Sequence, residues 1–154
     1  MSTKSIPIKV ASPLVASIFI VAGLDAALHP ENKVKKAEAV TKPIAQRVTV
    51  LPDDTEALVR MNGATQVAAG TLLALGTLRR LAATVLMGSL IPTTLAGHRF
   101  WEELDEDARK AQMVQLAKNL GLFGGLLLLA TSAGTAPRAS THRDGGRFRF
   151  RRAK

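Results

Sequence analysis

Residues 81–101 read LAATVLMGSLIPTTLAGHRFW. The run begins behind a basic pair, Arg79-Arg80, and carries no ionisable side chain before His98. A helix on the surface of a soluble domain needs a polar face, and no polar stripe precedes His98 here. With Arg99 and Trp101 as end anchors the stretch is long enough to cross a bilayer. Pro92 lies inside it and predicts a kink, since neighbouring helices in a membrane re-satisfy the carbonyl that proline leaves free.

Three further apolar runs fall into line around this one. Residues 10–28, VASPLVASIFIVAGLDAAL, form the first, stopped by His29-Pro30. Small residues follow its apolar stretch as in a secretory signal, but the run is long for one and more spans follow, so it is read as a retained span. Residues 56–77 form the second, entered through Pro52-Asp53-Asp54-Thr55-Glu56, a helix start with acids in the first turn. Arg79-Arg80 is read as a two-residue connection to the third span, residues 81–98. Residues 113–132 form the fourth, and Gly121 and Gly125 are a small-xxx-small pair suited to close approach of a neighbour. The expected fold is therefore all-α: a four-transmembrane-helix bundle over residues 1–133, and a basic tail, 134–154, expected to be disordered. Between the first two spans, Val34, Ala37, Val40, Ile44 and Val48 recur at spacings of 3 and 4, predicting short interfacial helices broken at Pro43.

Composition narrows the chemistry. The 154 residues are 47% hydrophobic yet carry a formal charge of +9, with the charges between apolar blocks rather than interleaved with them. That pattern suits a membrane protein with basic ends and speaks against nucleic acid as a partner. There is no cysteine, which excludes disulfides, thiol catalysis and thiolate metal sites. None of Gly23, Gly63, Gly70, Gly76 and Gly97 belongs to a phosphate-binding pattern; they are read as packing residues. His29, His98, Asp25 and Glu102 show no tight ligand spacing, so no metal is expected. No serine near His29 or His98 has a nucleophile-elbow context, and no catalytic constellation is visible.

With four spans, the N-terminus, Arg79-Arg80 and the tail share one side, which carries 11 basic residues and one acid, Asp144. The other side carries 10 of each, so the raw basic counts nearly tie. The short acid-free turn and the uniformly basic tail decide for a cytoplasmic placement of both termini. Each span then brings polar groups to its outer end: Asp25; Arg60, Asn62 and Gln66; His98 and Arg99; Gln115, Lys118 and Asn119. Ionisable groups within spans face the bundle and pair, so Asp25 is expected to meet Arg60 or else Lys118. The expected result is a polar cup open outward over an apolar base. Its ligand-binding residues are Asp25, Arg60, Asn62, Gln66, His98, Arg99, Lys118 and Asn119, with headgroup snorkelling and a structural ion pair as the plainer reading. The tail, with seven basic residues and Phe148 and Phe150 among them, suits anionic lipid.

The stretches PLVASIFIVAGLDAALHP, LVRMNGATQVAAGTLLALG, LIPTTLAGHRFWEE and KNLGLFGGLLLLA together resemble the DoxX family of small bacterial four-helix membrane proteins, especially its actinobacterial branch. The resemblance covers about residues 10–132. It implies a membrane subunit or anchor of a redox complex, either of the thiosulfate:quinone oxidoreductase kind or of an oxidative-stress complex with a superoxide dismutase and a thiosulfate sulfurtransferase as partners. A quinone is the cofactor it brings into view, and any enzymatic part is that of an accessory subunit. The family supplies no settled catalytic residues, and without cysteine this chain does no sulfur chemistry through a thiol of its own. A small-molecule carrier and a ligand-free scaffold are the alternatives.

Overall fold

A computed structural model describes residues 6–48, 51–97, 101 and 103–132. The described residues are all-helical: α1 (Ile6–Leu28), α2 (Glu31–Arg47), α3 (Thr55–Ala74), α4 (Arg79–Gly97) and α5 (Glu106–Thr131). The expected disordered tail lies outside them.

Local signals explain the boundaries. Asp54 caps α3 by accepting from the Glu56 amide at 2.9 Å, and Asp105 caps α5 by accepting from the Ala108 amide at 2.8 Å. Both caps place acids in the first turn, where the helix dipole favours them. α3 ends in a Schellman motif, with Gly76 at φ +71° and bonds from Thr77 N to Leu72 O and from Gly76 N to Leu73 O. The connection to α4 is thus residues 75–78, with Leu78 also at positive φ, and Arg79-Arg80 open the helix that follows instead of forming the turn. α2 runs unbroken through Pro43 where a break was expected. Ala39, whose carbonyl Pro43 deprives of a helical donor, is exposed, so solvent or headgroups can satisfy it.

Burial follows a seven-residue repeat on all four long helices. On α1 the buried positions are Ser12, Ala16, Phe19, Gly23 and Ala26; on α3, Gly63, Gln66, Gly70 and Leu73. Ala82, Leu86 and Ser89 continue it on α4, and Asn119, Leu126 and Leu129 on α5. Alternating steps of 3 and 4 keep one seam facing the bundle, the pattern of left-handed packing at about 20°. Gly23 meets Gly63, while Ile20 and Ala16 meet Gly70, so α1 and α3 run antiparallel. α4 returns after a tight turn, and α5 packs on α4 and more lightly on α1, where Gly125 faces Val15. α2 lies across α3 and α4, burying Ala37 and Ala45 and joined to α3 by Thr41 and Thr55 hydroxyls 2.9 Å apart. The apolar core of Ala16, Phe19, Leu73, Ala83, Leu86 and Leu126 occupies the end of the bundle away from α2.

The closest packing is between α1 and α3. A Cβ on Gly63 would stand 2.6 Å from the Gly23 carbonyl oxygen, and one on Gly23 2.7 Å from the Gly63 oxygen. By contrast, Gly121 has open space around it, and Gly125 only an ordinary contact with Val15 at 3.9 Å. The expected close approach at Gly121 and Gly125 is therefore not where this chain packs backbone to backbone.

Among the described residues two helical segments are long and apolar enough to cross a membrane by length and composition, Ile8–Leu28 and Glu106–Thr131, rather than the four expected. α3 falls short because Glu56, Arg60, Asn62 and Gln66 occupy its first turns; α4 because it opens on two arginines and carries several hydroxyl and glycine residues.

Gly63→Ala is expected to cost roughly 3 kcal/mol, at the upper end of overpacking penalties, because the obstructing atoms are backbone. Gly121→Ala is expected to be neutral or to stabilise by up to about 1 kcal/mol through helix propensity. Unfolding of both variants in mild detergent checks the contrast; equal effects would remove the α1–α3 contact as the tight point.

Candidate functional site

The heptad seam brings two amides of α3 against two hydroxyls of α4. Gln66 Nε2 donates to Ser89 Oγ at 2.9 Å and to Thr93 Oγ1 at 3.3 Å. Asn62 Nδ2 donates to Thr93 Oγ1 at 3.1 Å, and Ser89 Oγ donates to Asn62 Oδ1 at 2.8 Å. Thr93 Oγ1 gives its own proton to the Ser89 carbonyl at 2.8 Å. The proton count closes: each hydroxyl donates once and accepts at least once, which fixes Asn62 with its oxygen toward Ser89. Gln66 and Ser89 are buried, at 4% and 7% exposure. Among the described residues no buried side-chain nitrogen or oxygen lacks a partner.

A second polar contact ties α5 to α4 at the same end. Asn119 is buried and donates from Nδ2 to Thr94 Oγ1 at 3.0 Å; Thr94 in turn donates to the Leu90 carbonyl at 2.7 Å. The amides therefore reach α4 from both sides, on residues 89, 93 and 94. The absence of any polar stripe before His98, expected from the sequence, is corrected here: Ser89 and Thr93 are a narrow one. Their spacing of four on an otherwise apolar run was the available signal, masked because a lone Ser or Thr in a span usually bonds its own helix.

The ionisable residues do not join this network. Asp25 pairs with Lys33 of α2 and, at 3.6 Å, with His29, and all three are at least a third exposed. The expected Asp25–Arg60 pair does not form, nor does one with Lys118. Pro30 starts α2 immediately after α1, which sets Lys33, in the first turn of α2, beside Asp25. Arg60 pairs instead with Glu56, one turn back on its own helix at 3.0 Å, with both side chains exposed. Lys118 is exposed beside the buried Asn119, and Gln115 is exposed too. His98 and Arg99 lie outside the described residues. Of the eight residues expected to line a cup, the structure brings Asn62 and Gln66 together and places Asn119 on the opposite side of α4, while Asp25, Arg60 and Lys118 point outward.

No group of three or more potential metal ligands assembles among the described residues. What the arrangement does chemically is limited to neutral hydrogen bonding: amides and hydroxyls, with no nucleophile–base pair among them.

Gln66→Leu removes two bonds of the network and is expected to cost about 1 kcal/mol, within the range for interhelical hydrogen bonds in membranes. Arg60→Ala, which loses only an exposed same-helix pair, is expected to cost less than about 0.5 kcal/mol. Reversible unfolding in detergent micelles measures both, and an Arg60→Ala loss larger than that of Gln66→Leu would contradict this ordering.

No curated protein and no solved structure matches the chain. Comparison with protein families matches residues 13–99 to DoxX, ending before α5 where the resemblance was expected to extend to about 132. The match takes in more than half of the chain, across α1, α2, α3 and α4 and the polar seam between α3 and α4, and the protein belongs to the DoxX family.

Proposed function

We propose that the chain is an integral membrane protein that crosses the bacterial cytoplasmic membrane four times, with both termini inside, and serves as the anchoring subunit of a redox assembly. The observation that carries the membrane part is the sorting of side chains by size. On α1, Ser12, Ala16, Gly23 and Ala26 face inward with Phe19 as the one large residue among them, while Leu14, Val21 and Leu28 face outward at 65%, 68% and 67% exposure. A soluble helix would bury those large residues; lipid tails solvate them at no cost, and small residues then let the helices approach. α3 and α4, at 20 and 19 residues, are about 30 and 28 Å long, enough for the hydrocarbon layer. Asn62 and Gln66 of α3 turn toward Ser89 and Thr93 of α4 rather than toward lipid, which is how polar groups are accommodated within a bilayer, while the charged Glu56 and Arg60 stay at the end of α3.

The redox part of the reading comes from the family resemblance, its actinobacterial branch included, with a dismutase, a sulfurtransferase and a quinone as the associated components. An anchor fits the geometry better than a carrier. The packed core of Phe19, Leu73, Leu86 and Leu126 leaves no polar path through the inner half. A ligand-free scaffold is the second reading, favoured because among the described residues no buried side-chain polar atom is left without a partner for a ligand to satisfy.

Purification of the tagged chain in gentle detergent, with mass spectrometry of proteins and extraction of lipids and quinones, tests the choice. A co-purifying dismutase, sulfurtransferase or quinone is expected; a clean homo-oligomer without them overturns the redox reading in favour of the scaffold. The chain's lack of cysteine makes topology directly testable. Thr77→Cys is expected to react with an impermeant maleimide only after permeabilisation, and Asp53→Cys in intact cells. The reverse pattern would invert the orientation, and labelling of both from one side would exclude an odd number of crossings between them.

A further inference from the structure

At the end of the bundle covered by α2, a cleft of about 440 Å³ opens between α2, the last turn of α4 and the start of α5. Lys35, Lys36 and Ala39 form one wall, Ala96 and Gly97 the next, and Glu103 and Gln112 the third. The charges on α2 are divided. Lys33 is paired with Asp25 and Lys42 with Glu38, whereas Lys35 and Lys36, the two lysines over the cleft, have no ion pair among the described residues. Glu103 has none either, although it lines the same space.

We propose that this cleft holds the headgroup of a phospholipid from the outer leaflet, with the phosphodiester on Lys35 and Lys36 and a hydrogen-bond donor of the headgroup on Glu103. The inference rests on the four-span reading, which sets α2 at headgroup level. Among the described residues the lining's two cations and one carboxylate leave a net charge of +1, the complement of a single phosphodiester. Ala39, Ala96 and Gly97 keep the walls free of bulky side chains. Basic side chains at a membrane surface attract phosphate headgroups with about a fivefold gain each, so the lysine pair is worth about twenty-five-fold. A carboxylate in the same cleft selects headgroups that carry donors, an ethanolamine ammonium or glycerol hydroxyls, over choline, which has none.

The test is native mass spectrometry of the detergent-purified full chain titrated with phosphatidylethanolamine, phosphatidylglycerol and phosphatidylcholine of matched acyl chains. Wild type is expected to bind the first two at least tenfold more tightly than the third. Lys35→Gln with Lys36→Gln is expected to weaken them about twenty-five-fold, Glu103→Gln to abolish the preference over choline, and Lys42→Gln, away from the cleft, to change neither. Equal binding of all three lipids, or an equal loss in Lys42→Gln, overturns the site. Displacement of lipid by millimolar inorganic phosphate, lost in the double lysine variant, overturns the lipid as ligand. A chain that purifies from membranes but shows no selectivity defeats the site alone; one recovered without detergent defeats the four-span reading as well.

Discussion

Everything in this bundle is arranged around a contact between two backbones. Where α1 and α3 cross, Gly23 and Gly63 leave so little room that each would drive a Cβ into the other's carbonyl oxygen. Lipid tails are as apolar as leucine side chains, so burial of hydrophobic surface gives little drive for helices to associate within a bilayer; close van der Waals packing supplies it. The same crossing sets the polar seam. A Cβ on Gly23 would also stand 2.8 Å from Gln66 Cβ, so the glycine makes space for Gln66 to lie inward and reach Ser89 on α4. One small residue on α1 thereby decides the register of α3 against both of its neighbours.

From that register the molecule divides along its length. One end is a packed apolar core built from Ala16, Phe19, Leu73, Leu86 and Leu126. The other holds the amide–hydroxyl seam, the Asn119–Thr94 contact and the covering helix α2. Polar and ionisable groups have separated within that end. The neutral amides of Gln66 and Asn119 are buried and hydrogen-bonded to hydroxyls of α4, and the charged residues Asp25, Arg60 and Lys118 are at the periphery, where solvent or headgroups reach them. This separation follows from desolvation, since an amide can be satisfied by a hydroxyl across a helix interface at small cost, whereas a buried charge demands a partner of equal quality.

Much of the helix arrangement was legible in the sequence because apolar runs and caps are local. Asp54 ahead of Glu56 marked the start of α3, and His29-Pro30 the end of α1. The third run, residues 81–98, was placed within two residues of α4 at its start. The charge pattern puts the turn after α3 on Arg79-Arg80, whereas Gly76 at positive φ closes that helix three residues earlier. The membership of the polar seam was half legible. Asn62 and Gln66 stand out in a span, but Ser89 and Thr93 look like ordinary small residues until a partner helix faces them.

The chain by itself thus determined which segments are helical, where α3 and α4 begin to within two residues, and that its apolar residues come in membrane-length runs. Those properties depend on residues within a few positions of one another. α1 and α5 start earlier than their apolar runs, at Ile6 and Glu106, because first turns that carry charged residues extend them. Only the tertiary structure decided which glycines are contacts and which are bare, and which partner each charge takes. Gly63 and Gly121 are indistinguishable as letters in an apolar run, yet one touches another backbone and the other nothing. Several cations in the sequence could pair with Asp25; the abrupt turn at Pro30 sets Lys33 against it, because a helix that follows directly in the chain lies beside the end of the one before.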